Sequence, residues 1–382
     1  MDFDLRKHTI LLTVAGSRAY GTNRPDSDVD VKGVAIPTAK YFHGYLNRFE
    51  QADKPSHMAT FLDDLNDGEK AVVEATKLEG SVYELRKFIG LAAECNPNIL
   101  DALFCRDEEV RYITPLGQRL RDNRHLFLSA RARFSFSGYA MAQLKRIRGH
   151  RSWLLSPPTQ QPTRAEHGLP ERTLIPADHL VAVRAAVQKQ IDTWQFSWTG
   201  MSDAEKVQAE NQMADHLTEM SVALGYGSVE DAKWMAAARH IGLDDNLIFV
   251  MQREREYEAA QRRWKQFKDW ETARNKDRAD LEAQFGYDTK HAMHLVRLLR
   301  MCREILTTGE VNVWRPDHEE LLAIRNGAWT YDQIVGWAEE EDAKADAIYK
   351  AKTYVVPKEP DRNALDALCI ELVEQALKDG GR

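Results

Sequence analysis

Two carboxylates, Asp28 and Asp30, stand two residues apart in the run Asp28-Val29-Asp30-Val31. If that run is a strand, its side chains alternate between faces and both carboxylates point the same way. Paired carboxylates repel each other unless a cation neutralises them. Hard divalent cations such as magnesium take oxygen ligands of this kind and share them with substrate phosphates. Upstream lies a Gly16-Ser17 turn, which follows an apolar run from Thr9 to Val14 that reads as a buried strand. Glycine lets a backbone approach phosphate closely, and Ser17 offers a hydroxyl. A turn with free N–H groups beside a carboxylate-bound metal suits a nucleoside triphosphate, the turn holding phosphate oxygens and the metal activating the attack.

The ten residues Arg18 to Ser27 separate Gly16-Ser17 from Asp28-Val29-Asp30. This arrangement resembles the nucleotidyltransferase superfamily of DNA polymerase beta. The longer text, Gly16-Ser17-Arg18-Ala19-Tyr20-Gly21-Thr22 with Ser27-Asp28-Val29-Asp30 and Lys32-Gly33 after it, is similar to the RNA repair pathway DNA polymerase beta family. Tyr83 to Phe88, Cys95 to Leu100, Leu103-Phe104 and Lys290 to Arg300 add to the likeness, which covers residues 9–105 and, less fully, 288–308.

The resemblance implies transfer of a nucleoside monophosphate from an NTP to a hydroxyl, with release of pyrophosphate. It implies two magnesium ions, or manganese in their place, on Asp28, Asp30 and a third carboxylate from a later strand. Glu79 is the choice for that third ligand and base, where related sequences commonly carry Asp; Glu74 is the alternative. Lys290, His294 and Arg297 fall at i, i+4 and i+7 on one helix face. In related enzymes a basic helix clasps the triphosphate, which implies Lys290, with His294 and Arg297, as nucleotide ligands beside Gly16, Ser17 and Arg18. Lys32 also flanks the site. His291 and His294 are not read as a metal site, because carboxylates suit magnesium better.

The acceptor is read from charge. Net charge is −7, so the whole chain is no obvious nucleic-acid binder. Yet between Asp122 and Glu166 there is no acid, while Arg124, Arg131, Arg133, Lys145, Arg146, Arg148, Arg151 and Arg164 are all basic. Phe134, Phe136, Tyr139 and Trp153 are interleaved, a composition that fits phosphate contacts with base stacking. With the pathway that the family resemblance implies, this segment makes RNA the favoured acceptor. The rivals are adenylylation of a protein, as antitoxin-type members of the superfamily do, synthesis of a short oligonucleotide signal, and a non-catalytic RNA-binding role.

The elements that must position these residues give an α+β fold: a small mixed-sheet catalytic domain over 1–125, then a larger, mainly α-helical domain over 126–382. Strands are expected at 9–15, 28–36 and 71–79, and helices at 82–94, 99–104, 117–125 and 137–149. The stretch 156–176 carries Pro157, Pro158, Pro162, Pro170 and Pro176 and reads as a flexible loop. Ser202-Asp203-Ala204-Glu205 and Thr330-Tyr331-Asp332-Gln333 read as capping boxes. Residues 246–284 form a long, highly charged helical stretch. No apolar run approaches a membrane span. Cys95, Cys105, Cys302 and Cys369 show no metal-type pairing. With no leader at the N-terminus, reduced thiols point to the cytoplasm.

Overall fold

The computed structural model describes residues 3–25, 27–76, 78–173, 175–193, 229–274 and 276–380. Contacts divide the chain into two compact units, one of residues 1–156 with 275–382, the other of residues 157–274. In the first, five strands among the described residues form one mixed sheet: β1 (Thr9–Ala15), β2 (Val29–Ala35), β3 (Gln51–Ala52), β4 (Leu78–Glu84) and β5 (Val110–Ile113), ordered β3-β4-β2-β1-β5. β2 and β4 run parallel, and the other neighbours antiparallel. The helical remainder confirms the α+β class. β1 is buried along its whole length, which is why it reads as an unbroken apolar run.

Strand periodicity sorts the side chains. Val29, Val31 and Ala35 of β2 and Leu78 and Val82 of β4 join one core with Leu12, Met58 and Phe61. Asp30, Lys32 and Glu79 are therefore turned to the opposite face. Val34, on that face, belongs to the larger core with Leu85, Phe88, Leu100, Leu295 and Val296. The helix Ala132–Leu155 and the helix Thr289–Thr308 both contribute to this core, through Phe136 and Leu144 and through Leu295 to Leu299.

One strand expectation is corrected. Residues 67–75 are helical, and β4 begins only at Leu78. Asn66 accepts from the Glu69 amide at 2.9 Å while Glu69 accepts from the Asn66 amide at 3.1 Å, a complete capping box that starts a helix. The β-branched pair Val72-Val73 suggests a strand but packs against the core beneath the sheet. The helix expected from residue 82 starts at Leu85, because Val82 to Glu84 finish β4 and Glu84 caps the helix Leu85–Ala93. The 246–284 stretch is two helices, Asp245–Ala273 and Lys276–Phe285. The Thr330 capping box is present with Gln333; the Ser202 box lies outside the described residues.

In the second unit Leu180, Val187, Trp234, Ala237, Ile248 and Met251 form a small core. The Pro-rich loop is tied to the helix Asp245–Ala273 by Arg164, whose guanidinium grips Glu254 at 2.9 and 2.5 Å. Cys95, Cys105, Cys302 and Cys369 form no disulfide. Among the described residues no helix is long and apolar enough to cross a membrane.

Candidate active site

The parallel β2–β4 ladder sets Asp30 opposite Glu79. On its other side Asp30 pairs with Ala15, which precedes the Gly16-Ser17 turn. Asp30 is thus the residue at which the turn and the second strand meet. Gly16 has φ +63°, and a Cβ built there would lie 2.3 Å from Asp30 Oδ2. Both the backbone angle and the close approach demand glycine.

Asp30 is half-buried, while Asp28 and Glu79 are exposed. Burial raises the pKa of Asp30 first, and the charges of Glu79 and Asp28 raise it further, against the pull of Lys32 and Lys290. The four charged side chains that shift Asp30 therefore come from β2 and its approach, from β4 and from the start of the helix Thr289–Thr308. Asp28, Asp30 and Glu79 are near enough for the charges of the other two to act on Asp30, and such carboxylates could hold a hard divalent cation.

Arg18 does not point at open space. Its guanidinium donates to the Ser27 carbonyl at 2.9 Å and the Asp28 carbonyl at 3.3 Å. It thereby fixes the loop that delivers Asp28. Lys32 donates to the Asn98 carbonyl at 2.5 Å. Burial lowers its pKa, while Asp101 and Asp30 pull it back up. Asp101 in turn accepts from the buried Tyr20 hydroxyl.

The face shared by Lys290, His294 and Arg297 lies toward this cluster, but the three differ in environment. Lys290 is exposed and its charge reaches Asp30. Burial, followed by the positive charges of Arg297, Lys290, His291 and Arg325, pushes the His294 imidazole well below its usual pKa. His294 is therefore a neutral hydrogen-bonding group near pH 7. Arg297 is 4 % exposed, and its guanidinium lies 3.7 Å from the centre of the Tyr20 ring.

Tyr20 lies within the Gly16–Thr22 motif, but Asp101 and Arg325 carry no local signal in the sequence, since only packing brings them to this region. Arg325 donates to the Thr22 carbonyl at 3.3 Å, and Arg24 donates to Asn326 Oδ1 at 2.5 Å. The helix His318–Arg325 thus helps hold the loop after the Gly-Ser turn.

Half of the basic segment is paired with acids through space, Arg164 with Glu254 as described above. Arg133 pairs with Asp342 at 2.9 Å, Arg148 with Glu339 at 2.6 Å, and Arg131 with Glu359 at 3.1 Å and with Glu94. Arg151 lies 4.2 Å over the Tyr331 ring. Lys145 and Arg146 are exposed and form no ion pair among the described residues.

The mixed sheet, the glycine turn against Asp30 and Glu79 on the neighbouring parallel strand all lie within the stretch that matches a family model. Residues 4–155 match the model of the RNA repair pathway DNA polymerase beta family, which supports the family read from Gly16-Ser17 and Asp28-Val29-Asp30. No curated protein and no solved structure matches the chain. Nucleotidyltransferases of the polymerase beta type usually use divalent metals.

Proposed function

We propose that the protein transfers a nucleoside monophosphate from an NTP to a hydroxyl acceptor and releases pyrophosphate. The observation that carries this reading is the register of Asp30 with Glu79 beside the Gly16 turn. Asp28, Asp30 and Glu79 would hold two magnesium ions, or manganese, which when bound offset charge on the α-phosphate and lower the pKa of the acceptor hydroxyl. Glu79, which is exposed, would take the acceptor's proton. The backbone at Gly16 and Ser17 and the Ser17 hydroxyl receive phosphate oxygens. Lys290 supplies the exposed cation for the triphosphate, His294 a neutral donor, and Arg297 supports Tyr20 from behind.

RNA is the acceptor this reading favours. The name of the matching family, which places it in RNA repair, supports it, as do the exposed Lys145 and Arg146. The pairing of Arg131, Arg133 and Arg148 with acids favours keeping a protein acceptor as the second reading, because it leaves less free positive charge for phosphates. The test is incubation with each α-labelled NTP and magnesium, with total RNA, with cell protein and alone, beside Asp30→Ala. Label in RNA that vanishes in the variant supports the RNA reading and names the base. Label on protein supports the second reading. Absence of Asp30-dependent label in every tube counts against transfer.

A further inference from the structure

A second group of metal-binding side chains lies where the helix Ala132–Leu155 passes the start of the helix Thr289–Thr308. His150 Nδ1 is 3.2 Å and His291 Nε2 3.5 Å from one and the same oxygen, Oδ2 of Asp288. Ligand atoms of all three residues lie within 4.8 Å of one another. Zinc bonds to imidazole nitrogen and carboxylate oxygen run about 2.0–2.1 Å, which puts neighbouring ligands of a tetrahedral ion roughly 3.3 Å apart. The two measured separations fall on either side of that value.

The ligands are also held in place. Asp288 Oδ1 caps the helix by accepting from the His291 amide at 3.0 Å, which turns Oδ2 toward the two imidazoles. Asp288 is fully buried, while the side chains of His150 and His291 are 14 % and 16 % exposed, so solvent has a path to the group. The His150 ring stacks on Trp153 with centroids 5.5 Å apart. Arg151, next in sequence to His150, donates to the Gly286 carbonyl at 2.8 Å and ties together the two segments that supply the ligands.

We propose that His150, Asp288 and His291 bind a first-row transition ion of the zinc class, at a site separate from the Asp28–Asp30–Glu79 carboxylates. Donor chemistry divides the two sites. Two imidazoles with one carboxylate suit zinc-class ions, whereas an all-oxygen set suits magnesium. Three protein ligands leave a position open to water. The ion joins two helices of the larger core, and its ligand His291 follows Lys290 directly. Loading the site therefore fixes the helical turn that carries Lys290 toward Asp30.

Cobalt(II) is the probe, because its visible band reports nitrogen-ligated, low-coordinate geometry. Full-length protein, freed of metal by chelator, is titrated with cobalt in excess magnesium. The expected result is one cobalt per chain with that band, displaced by zinc and unchanged in Asp30→Asn. His150→Ala and, separately, His291→Asn should each weaken binding by about 100-fold, at least the upper end of the loss from removing a mere outer partner. In the unsubstituted protein, one equivalent of zinc should protect His150 and His291 from acylation by diethyl pyrocarbonate, read by mass spectrometry. A missing band, a band that survives both substitutions, or unprotected imidazoles at saturating zinc would overturn the site and leave a hydrogen-bonded trio.

Discussion

Asp30 and Glu79 are partners across the parallel β2–β4 ladder, and after burial, the largest cause, the charge of Glu79 is the next that raises the Asp30 pKa. Their coupling predicts non-additive kinetics. Asp30→Asn and Glu79→Gln should each lower kcat by about 10³-fold or more, and the double variant should be little worse than either, as for residues that act as one unit. Glu79→Asp keeps the carboxylate one methylene shorter and should retain a substantial part of the rate. Single-turnover rates with labelled NTP decide this; multiplying losses in the double variant would separate Glu79 from the Asp30 site.

The same coupling has a cost in stability when no metal is bound. The Asp30 pKa is raised in the folded chain, so between its usual 3.8 and the raised value the folded state binds more protons than the unfolded one. Stability contributed at this position is present below that window and lost as pH rises through it. Asp30→Asn should therefore raise the urea midpoint of metal-free protein at pH 7, with an unchanged m value. The expected gain is roughly 0.2–1 kcal/mol, the scale for like charges opposed on neighbouring strands. Magnesium should stabilise the parent protein more than the variant. Equal urea midpoints in chelator would count against repulsion at this site.

How far the sequence displays all this depends on separation along the chain. Gly16-Ser17 and Asp28-Val29-Asp30 are legible because turn, strand and carboxylates lie in one short stretch whose periodicity fixes their faces. Glu79 is found by resemblance; the ladder that puts it beside Asp30 crosses a connection whose helix, Asp67–Ala75, reads as a strand from Val72-Val73. The Asn66–Glu69 box overrides that local preference. Asp101 and Arg325 are invisible because only tertiary packing gathers them. The basic segment shows the same limit: counting charge along the chain misses Asp342, which meets Arg133 from 209 residues away.

Gly16 offers a sharper test of the turn. Gly16→Ala places a Cβ 2.3 Å from Asp30 Oδ2 at a φ of +63°. The left-handed backbone alone costs about 1–2 kcal/mol in a non-glycine residue, and the clash must also move the carboxylate. The variant should lose stability and most of its transfer rate together. Gly138 is the matched control: it lies exposed in the helix Ala132–Leu155, and a Cβ there meets nothing within 4 Å. Gly138→Ala should be stabilising by roughly 0.5–1 kcal/mol, with activity unchanged. Thermal melts and initial rates on both variants make the comparison; a tolerant Gly16→Ala would mean the turn does not set Asp30.

Whether RNA is held by the basic segment turns on two residues of that helix. Arg133 is spent on Asp342 and Asp346, with its side chain 12 % exposed, so Arg133→Ala should cost about 1–3 kcal/mol of stability by stranding its acids. It should leave the salt dependence of RNA binding as it was. Lys145 and Arg146 are exposed, and each phosphate contact on a single strand contributes about 0.7 to the slope of log affinity against log salt. Replacing both by Glu should weaken RNA binding and flatten that slope by roughly 1.4, with the melting temperature little changed. Binding isotherms over a range of potassium concentrations read both quantities at once. An unchanged slope in the Lys145→Glu, Arg146→Glu variant would remove the segment from the acceptor site, because a surface that neutralises no phosphate releases no counterions however tightly the RNA is held elsewhere.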